Sequence, residues 1–222
     1  MTTQTLLYQR ALRLLGEREL SSVTENREPR HLLDAEDEDG GLITYALETG
    51  FWRFASKTEQ LSSSGTSAFG LTKTFGKPSN YVHLIELSGD EHFRTPLTRD
   101  KFFSNPESSF REDQALFYSM LTTIYIRYVN KSSSYGTDLT IWPETFAQYY
   151  AALLAHKVGL AMTKKPAIMA VVAKELDRAY ITALEWESAG GAARWRALKG
   201  QIEGTERRAV PRTAPQQPGV SA

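Results

Sequence analysis

Cysteine is absent from the 222 residues, which excludes a disulfide framework, a zinc ribbon, an iron–sulfur centre and a thiol nucleophile. Charge of one sign is not in excess either: 26 basic residues stand against 26 acidic ones. A protein that coats nucleic acid needs a cationic surplus to displace counterions, so this balance argues against that class. No apolar run approaches the roughly 18 to 20 residues of a membrane-spanning helix. Met1 to Gln9 lacks the basic-then-apolar order of a secretory leader. The expectation is a soluble protein made and used in a reducing cytoplasm, or released from one.

What is present is ordinary for a globular chain. Apolar residues make up 41%, enough at this length to bury a core in one or two domains. The charge is balanced globally but not locally. Residues 34–39 carry five acids, Asp34, Glu36, Asp37, Glu38 and Asp39, whereas the end of the chain carries Arg207, Arg208 and Arg212 against Glu206.

Hydrophobic periodicity divides the chain into zones. In the first, 1–53, Leu7, Ala11, Leu14 and Leu15 recur at helical spacing before Gly16 stops the run. Leu32, Ala35, Leu42, Ala46 and Leu47 predict a second helix that closes at Gly50. Trp52, in the cluster Phe51-Trp52-Arg53-Phe54, is expected to anchor packing between layers. The second zone, 54–137, shifts to a period of two. Strands are expected over 55–61, 71–75, 81–87 and 122–129, forming a small antiparallel sheet, with exposed loops at 62–68 and 99–114. The third zone, 138–199, returns to helix. Pro143 fits the first helical position, Glu144 complements the positive helix end, and Thr163-Lys164-Lys165-Pro166 separates two helices. Residues 200–222, rich in Pro, Gln, Arg and Gly, form an extended tail that would order only on a partner. The fold class expected is α+β, a mainly helical bundle with an inserted small antiparallel β domain.

The search for chemistry returns little. Gly70 to Lys77 resembles a phosphate loop only superficially, because the glycine spacing is one too long and Pro78 replaces the magnesium-binding hydroxyl. His31, His83, His92 and His156 have no metal-ligand spacing, and His83 reads as a packed strand residue. The acid run 34–39 lacks the alternating ligands, glycine and closing glutamate of a calcium loop. It reads as a solvated helix face, or more sharply as a face that meets a basic surface on a neighbouring subunit. Glu48, Glu86 and Glu91 are the acids available for acid–base work, with no sequence spacing that pairs them. Tyr125, Tyr128, Trp142, Tyr149 and Tyr150 read as packing rather than as stacking partners for bases. No catalytic, cofactor or metal residues are therefore assigned.

The order of particular segments says more. Ala11-Leu12-Arg13-Leu14-Leu15-Gly16-Glu17 precedes Phe51-Trp52-Arg53-Phe54-Ala55, then Phe69-Gly70-Leu71-Thr72-Lys73-Thr74-Phe75-Gly76-Lys77-Pro78. Ile124-Tyr125-Ile126-Arg127-Tyr128-Val129 follows, then Trp142-Pro143-Glu144-Thr145-Phe146 opening a helix with Tyr149-Tyr150-Ala151-Ala152-Leu153-Leu154-Ala155. This set, over roughly residues 5–185, resembles the tail tubular protein A-like head-to-tail adaptors of tailed bacteriophages. The resemblance implies a twelve-subunit ring below the portal protein, extending the DNA channel and offering a platform to the next tail (nozzle) protein. It implies a place at the head–tail junction of the virion, after assembly in the host cytoplasm. It also implies that the C-terminal segment climbs onto the portal, which makes Arg207, Arg208 and Arg212 candidate docking residues. Asp34, Glu36, Asp37, Glu38 and Asp39 become candidates for the contact between subunits, since an acidic face and a basic tail supply the unlike surfaces a closed ring needs. The family is structural, so no catalytic residue is carried over. The rivals are a tail-borne cell-wall hydrolase and a tail completion or terminator protein.

Overall fold

A computed structural model describes residues 2–39, 41–66, 71–99 and 105–189. The described residues contain five α-helices and eight strands, an α+β chain. It divides into two units, Met1–Leu184 and Glu185–Ala222. Only Glu185–Ala189, the end of the last helix, is described in the second.

The helices are α1 (Gln4–Leu15), α2 (Glu28–Asp34), α3 (Leu42–Glu48), α4 (Glu144–Met162) and α5 (Pro166–Ala189). The Thr3 side chain caps α1 by accepting from the Leu6 amide, and Gly16 ends it at φ 71°, a left-handed conformation that glycine adopts without steric cost. The second expected helix does not run unbroken to Gly50. It is interrupted by a π-helical turn at Ala35–Asp39 and by Gly41 at φ 65° before α3 begins. Five closely spaced acids repel one another along a regular helix, and Gly41 can take a positive φ, so the chain breaks there. Pro143 is the residue just before α4 rather than its first helical position, and Glu144 occupies the first turn.

The strands are β1 (Ser56–Ser62), β2 (Gly65–Thr66), β3 (Lys73–Gly76), β4 (Tyr81–Ser88), β5 (Thr98–Arg99), β6 (Ser109–Glu112), β7 (Leu116–Ser119) and β8 (Thr123–Asn130). They form two sheets, not one: β1-β8-β4 and β2-β3-β7-β6-β5. Pairing is antiparallel except for β5 with β6, which is parallel. The expected loop at 62–68 is therefore partly strand. Ser62 ends β1, the Ser64 amide donates to the Thr74 carbonyl at 2.8 Å, and Gly65 pairs with Thr74. Residues 67 and 68 lie outside the described residues. The expected loop at 99–114 likewise contains Arg99 of β5 and all of β6.

The central strand β8 shows why two cores form. Its side chains alternate across the sheet. Ile124, Ile126 and Tyr128 are buried with Phe75, Leu87, Phe110 and Phe117, whereas Val129 belongs to the core built by the helices. Val82 and Ile85 of β4 also pack on the helical core. That core joins Leu7, Tyr8, Ala11, Leu12 and Leu15 of α1 to Phe146, Tyr150, Leu154 and Val158 of α4, with Val172, Ala179 and Ala183 of α5. Gly136 shows how closely its parts approach. A Cβ added there would lie 2.6 Å from the Asn130 carbonyl oxygen and 2.6 Å from Leu47 Cδ1.

Candidate functional site

The acid run is the first place where the structure builds something from residues of interest. Asp34 closes α2, and the π turn then carries Asp37 toward α1 and α4. Tyr8 Oη lies 3.0 Å from Asp34 Oδ1 and 3.0 Å from Asp37 Oδ2. Gln4 Nε2 donates to Tyr8 Oη at 3.0 Å and to Asp37 Oδ2 at 3.3 Å. The Tyr150 hydroxyl donates to the other Asp37 oxygen, and Arg30 Nε meets Asp34 Oδ2 at 2.9 Å. A phenol has one proton to donate, so Tyr8 serves only one of its two carboxylate neighbours at a time.

Burial, reinforced by the Asp37 charge, pushes both the Tyr8 and the Tyr150 phenol well above the ordinary tyrosine range. Both stay protonated donors near neutral pH, so neither offers a phenolate as base or nucleophile. The arrangement fastens the turn to α1 and α4. Asp34 and Asp37 thus depart from the solvated face expected of the run: an acid next to buried phenols gains more from their hydrogen bonds than from water alone. Glu36 is half-buried, and the side chains of Glu38 and Asp39 lie outside the described residues. The proposed contact of this run with a neighbouring subunit rests on the turn as a whole.

A second cluster carries no signal in the sequence. Glu112 of β6 accepts from Lys77 Nζ at 2.8 Å and from the Tyr81 hydroxyl at 2.7 Å, and its other oxygen pairs with Arg99. Lys77 also lies over the Tyr81 and Phe117 rings, 4.8 and 5.3 Å from their centroids. Burial alone would lift the Glu112 carboxyl, but the hydrogen bonds from Lys77 and Tyr81 and the two cations hold it below the usual glutamate value. The lysine of the superficial phosphate loop is therefore committed to a carboxylate. Gly70 lies outside the described residues. These partners are separated by 35 and 31 residues in the chain, so no local spacing could reveal them.

His83 sits on β4 with Nδ1 buried and without a hydrogen-bond partner among the described residues, its ring edge-on to Phe51 at 5.4 Å. Burial lowers its pKa, opposed by the Glu112 charge. The three acids considered for acid–base work lie on separate elements. Glu48 ends α3, Glu86 of β4 meets Arg127 at 3.4 Å, and Glu91 meets its neighbour His92 at 3.2 Å. Among the described residues no group of three or more His, Asp or Glu is placed to hold a metal ion. No helix among them is long and apolar enough to cross a membrane.

Of the aromatic residues read as packing, Tyr128 and Tyr150 are fully buried and Trp142 and Tyr149 nearly so, whereas Tyr125 is only half-buried. Trp52 is fully buried, donates from Nε1 to the Ala46 carbonyl at 2.9 Å and lies against Phe146 and Tyr149. Arg207, Arg208 and Arg212, the candidate docking residues of the tail 200–222, lie outside the described residues. Comparison with models of known protein families and with curated proteins finds no match.

Proposed function

We propose that this chain is a structural virion protein, a head-to-tail adaptor. Its copies form a ring of twelve below the portal, extend the DNA channel and present a platform to the next tail protein. The carrying observation is that two of the ordered segments resembling such adaptors, 51–55 and 142–155, build the joint between the chain's two helical flanks. Trp52 from the end of the first, with Phe54 just after it, meets Trp142, Phe146, Tyr149 and Tyr150 from the second in one aromatic cluster. This supports the finer architecture of the reading, a helical bundle formed by 1–53 and 138–199 that carries the strand region 54–137 as a smaller domain. The segment 200–222 then serves portal docking through Arg207, Arg208 and Arg212. A neutral chain suits a channel through which DNA passes without being held, because its 26 cations are matched by 26 acids and leave no surplus to retain phosphates.

Electron microscopy of the purified protein mixed with its portal tests the proposal. The expected result is a ring stacked on the narrow end of the portal. A protein that stays monomeric and never binds portal overturns it.

A further inference from the structure

Among the described residues the helical core leaves one face of α5 exposed. Val172, Ala179 and Ala183 point inward, and on the opposite side Val171, Lys174, Arg178 and Ile181 form a ridge with spacings of three, four and three residues. At about 100° per residue these four fall within roughly a quarter-turn of one another, the spacing of a seam between helices. Val171 is 62% exposed and Ile181 54%. Lys174 has no ion-pair partner among the described residues, and Arg178 reaches only Glu175, at 3.9 Å. The ridge is thus apolar at both ends and cationic in the middle.

Its complement lies elsewhere on the same chain. Where the end of α1, the start of α2 and the end of α4 converge, a groove of about 170 Å³ is lined by Pro29, Leu32, Ala161 and Met162, with Glu17 and Glu28 also in its wall. Neither carboxylate is paired with a described residue. Lys164 and Lys165, in the turn after Met162, form no ion pair with them. A mainly polar groove whose two carboxylates have no ion-pair partner among the described residues suits the charged head of a lysine or arginine side chain, with Pro29 and Leu32 beside its stem.

We infer that the α5 ridge of one copy docks into the Glu17–Glu28 groove of a second copy of this chain. Ridge and groove are different surfaces, so the contact is heterologous: each copy offers one and receives the other, and repetition closes a ring when the rotation allows. Lys174 and Arg178 meet Glu17 and Glu28, and Val171 and Ile181 flank that charged contact. The inference rests on the ring reading above and names the surfaces that would make the ring.

Charge reversal tests it in the full-length protein. Sedimentation over a concentration series gives the assembly midpoint for wild type, for Lys174→Glu with Arg178→Glu, for Glu17→Arg with Glu28→Arg, and for all four together. All the sites are at the surface, and circular dichroism checks that each variant folds. The expected result is assembly of the wild type, weakening by about tenfold or more in each double variant, and recovery in the fourfold variant, where the signs are exchanged but opposite. A wild type that assembles unchanged by either reversal overturns this interface and leaves the ring standing. Double variants that weaken assembly without recovery in the fourfold variant overturn the pairing. A wild type that never assembles overturns both interface and ring.

Discussion

Replacing Glu112 by alanine would strand the largely buried Lys77 against the Tyr81 and Phe117 rings, while the exposed Arg99 would turn to solvent. Breaking a largely buried pair by removing one partner costs about 3 kcal/mol, and urea denaturation of Glu112→Ala should show a loss of that order. The same residue fixes an acid response. Its carboxyl lies below the ordinary glutamate value in the fold, so its contribution is complete above that value and fades as pH falls through the folded pKa. His83 acts in a higher window. Its imidazole is held neutral by burial, so the unfolded chain takes up a proton first as pH falls below about 6.5. Stability should decline from there toward the lower folded pKa, and the decline should be shallower in His83→Gln. Thermal unfolding at pH steps between about 7.5 and 5.5 measures both slopes, and equal slopes would refute the assignment.

Among the elements, the π turn at Ala35–Asp39 depends on donors from two other helices. Tyr150→Phe removes the hydroxyl that serves Asp37 and leaves the carboxylate short of a donor in a half-buried position. A loss of about 1–3 kcal/mol follows, and hydrogen exchange should quicken at the turn before it quickens in α4; unchanged exchange there would count against the fastening role. This turn also marks where sequence reading stops. Strands β4 and β8, at eight residues each, and the long helices α4 and α5 carry enough periods for apolar spacing to reveal them. So does α1, whose Gly16 stop is its C-cap. Strands β2 and β5 contain two residues each, less than one full alternation, and the parallel pairing of β5 with β6 is a long-range choice. The break between α2 and α3 comes from charge repulsion and Gly41, which compete with a helical period that continues across them. The Glu112 cluster was invisible because side chains distant in sequence make it. The acid run was visible, but not the inward turn of Asp34 and Asp37, which depends on Tyr8 and Tyr150 arriving from elsewhere.

For the whole molecule, the adaptor reading gives the C-terminal arginines a task separable from folding. Residues 205–222 contain almost no large apolar side chain, so deleting them removes little that a core could use. The truncated protein should keep its circular dichroism spectrum and lose portal binding in co-sedimentation, by tenfold or more if Arg207, Arg208 and Arg212 carry the contact. Unchanged binding would refute the docking role of the tail. The packing of α1 on α4 sets a further condition, on synthesis rather than on the finished protein. Leu7, Leu12 and Leu15 are synthesised well before the α4 surface that covers them, which begins only at Glu144. At about 5–20 residues per second, the apolar face of α1 waits on the order of ten seconds for its partner. During that interval the nascent chain is a natural client for a chaperone that shields amphipathic helices.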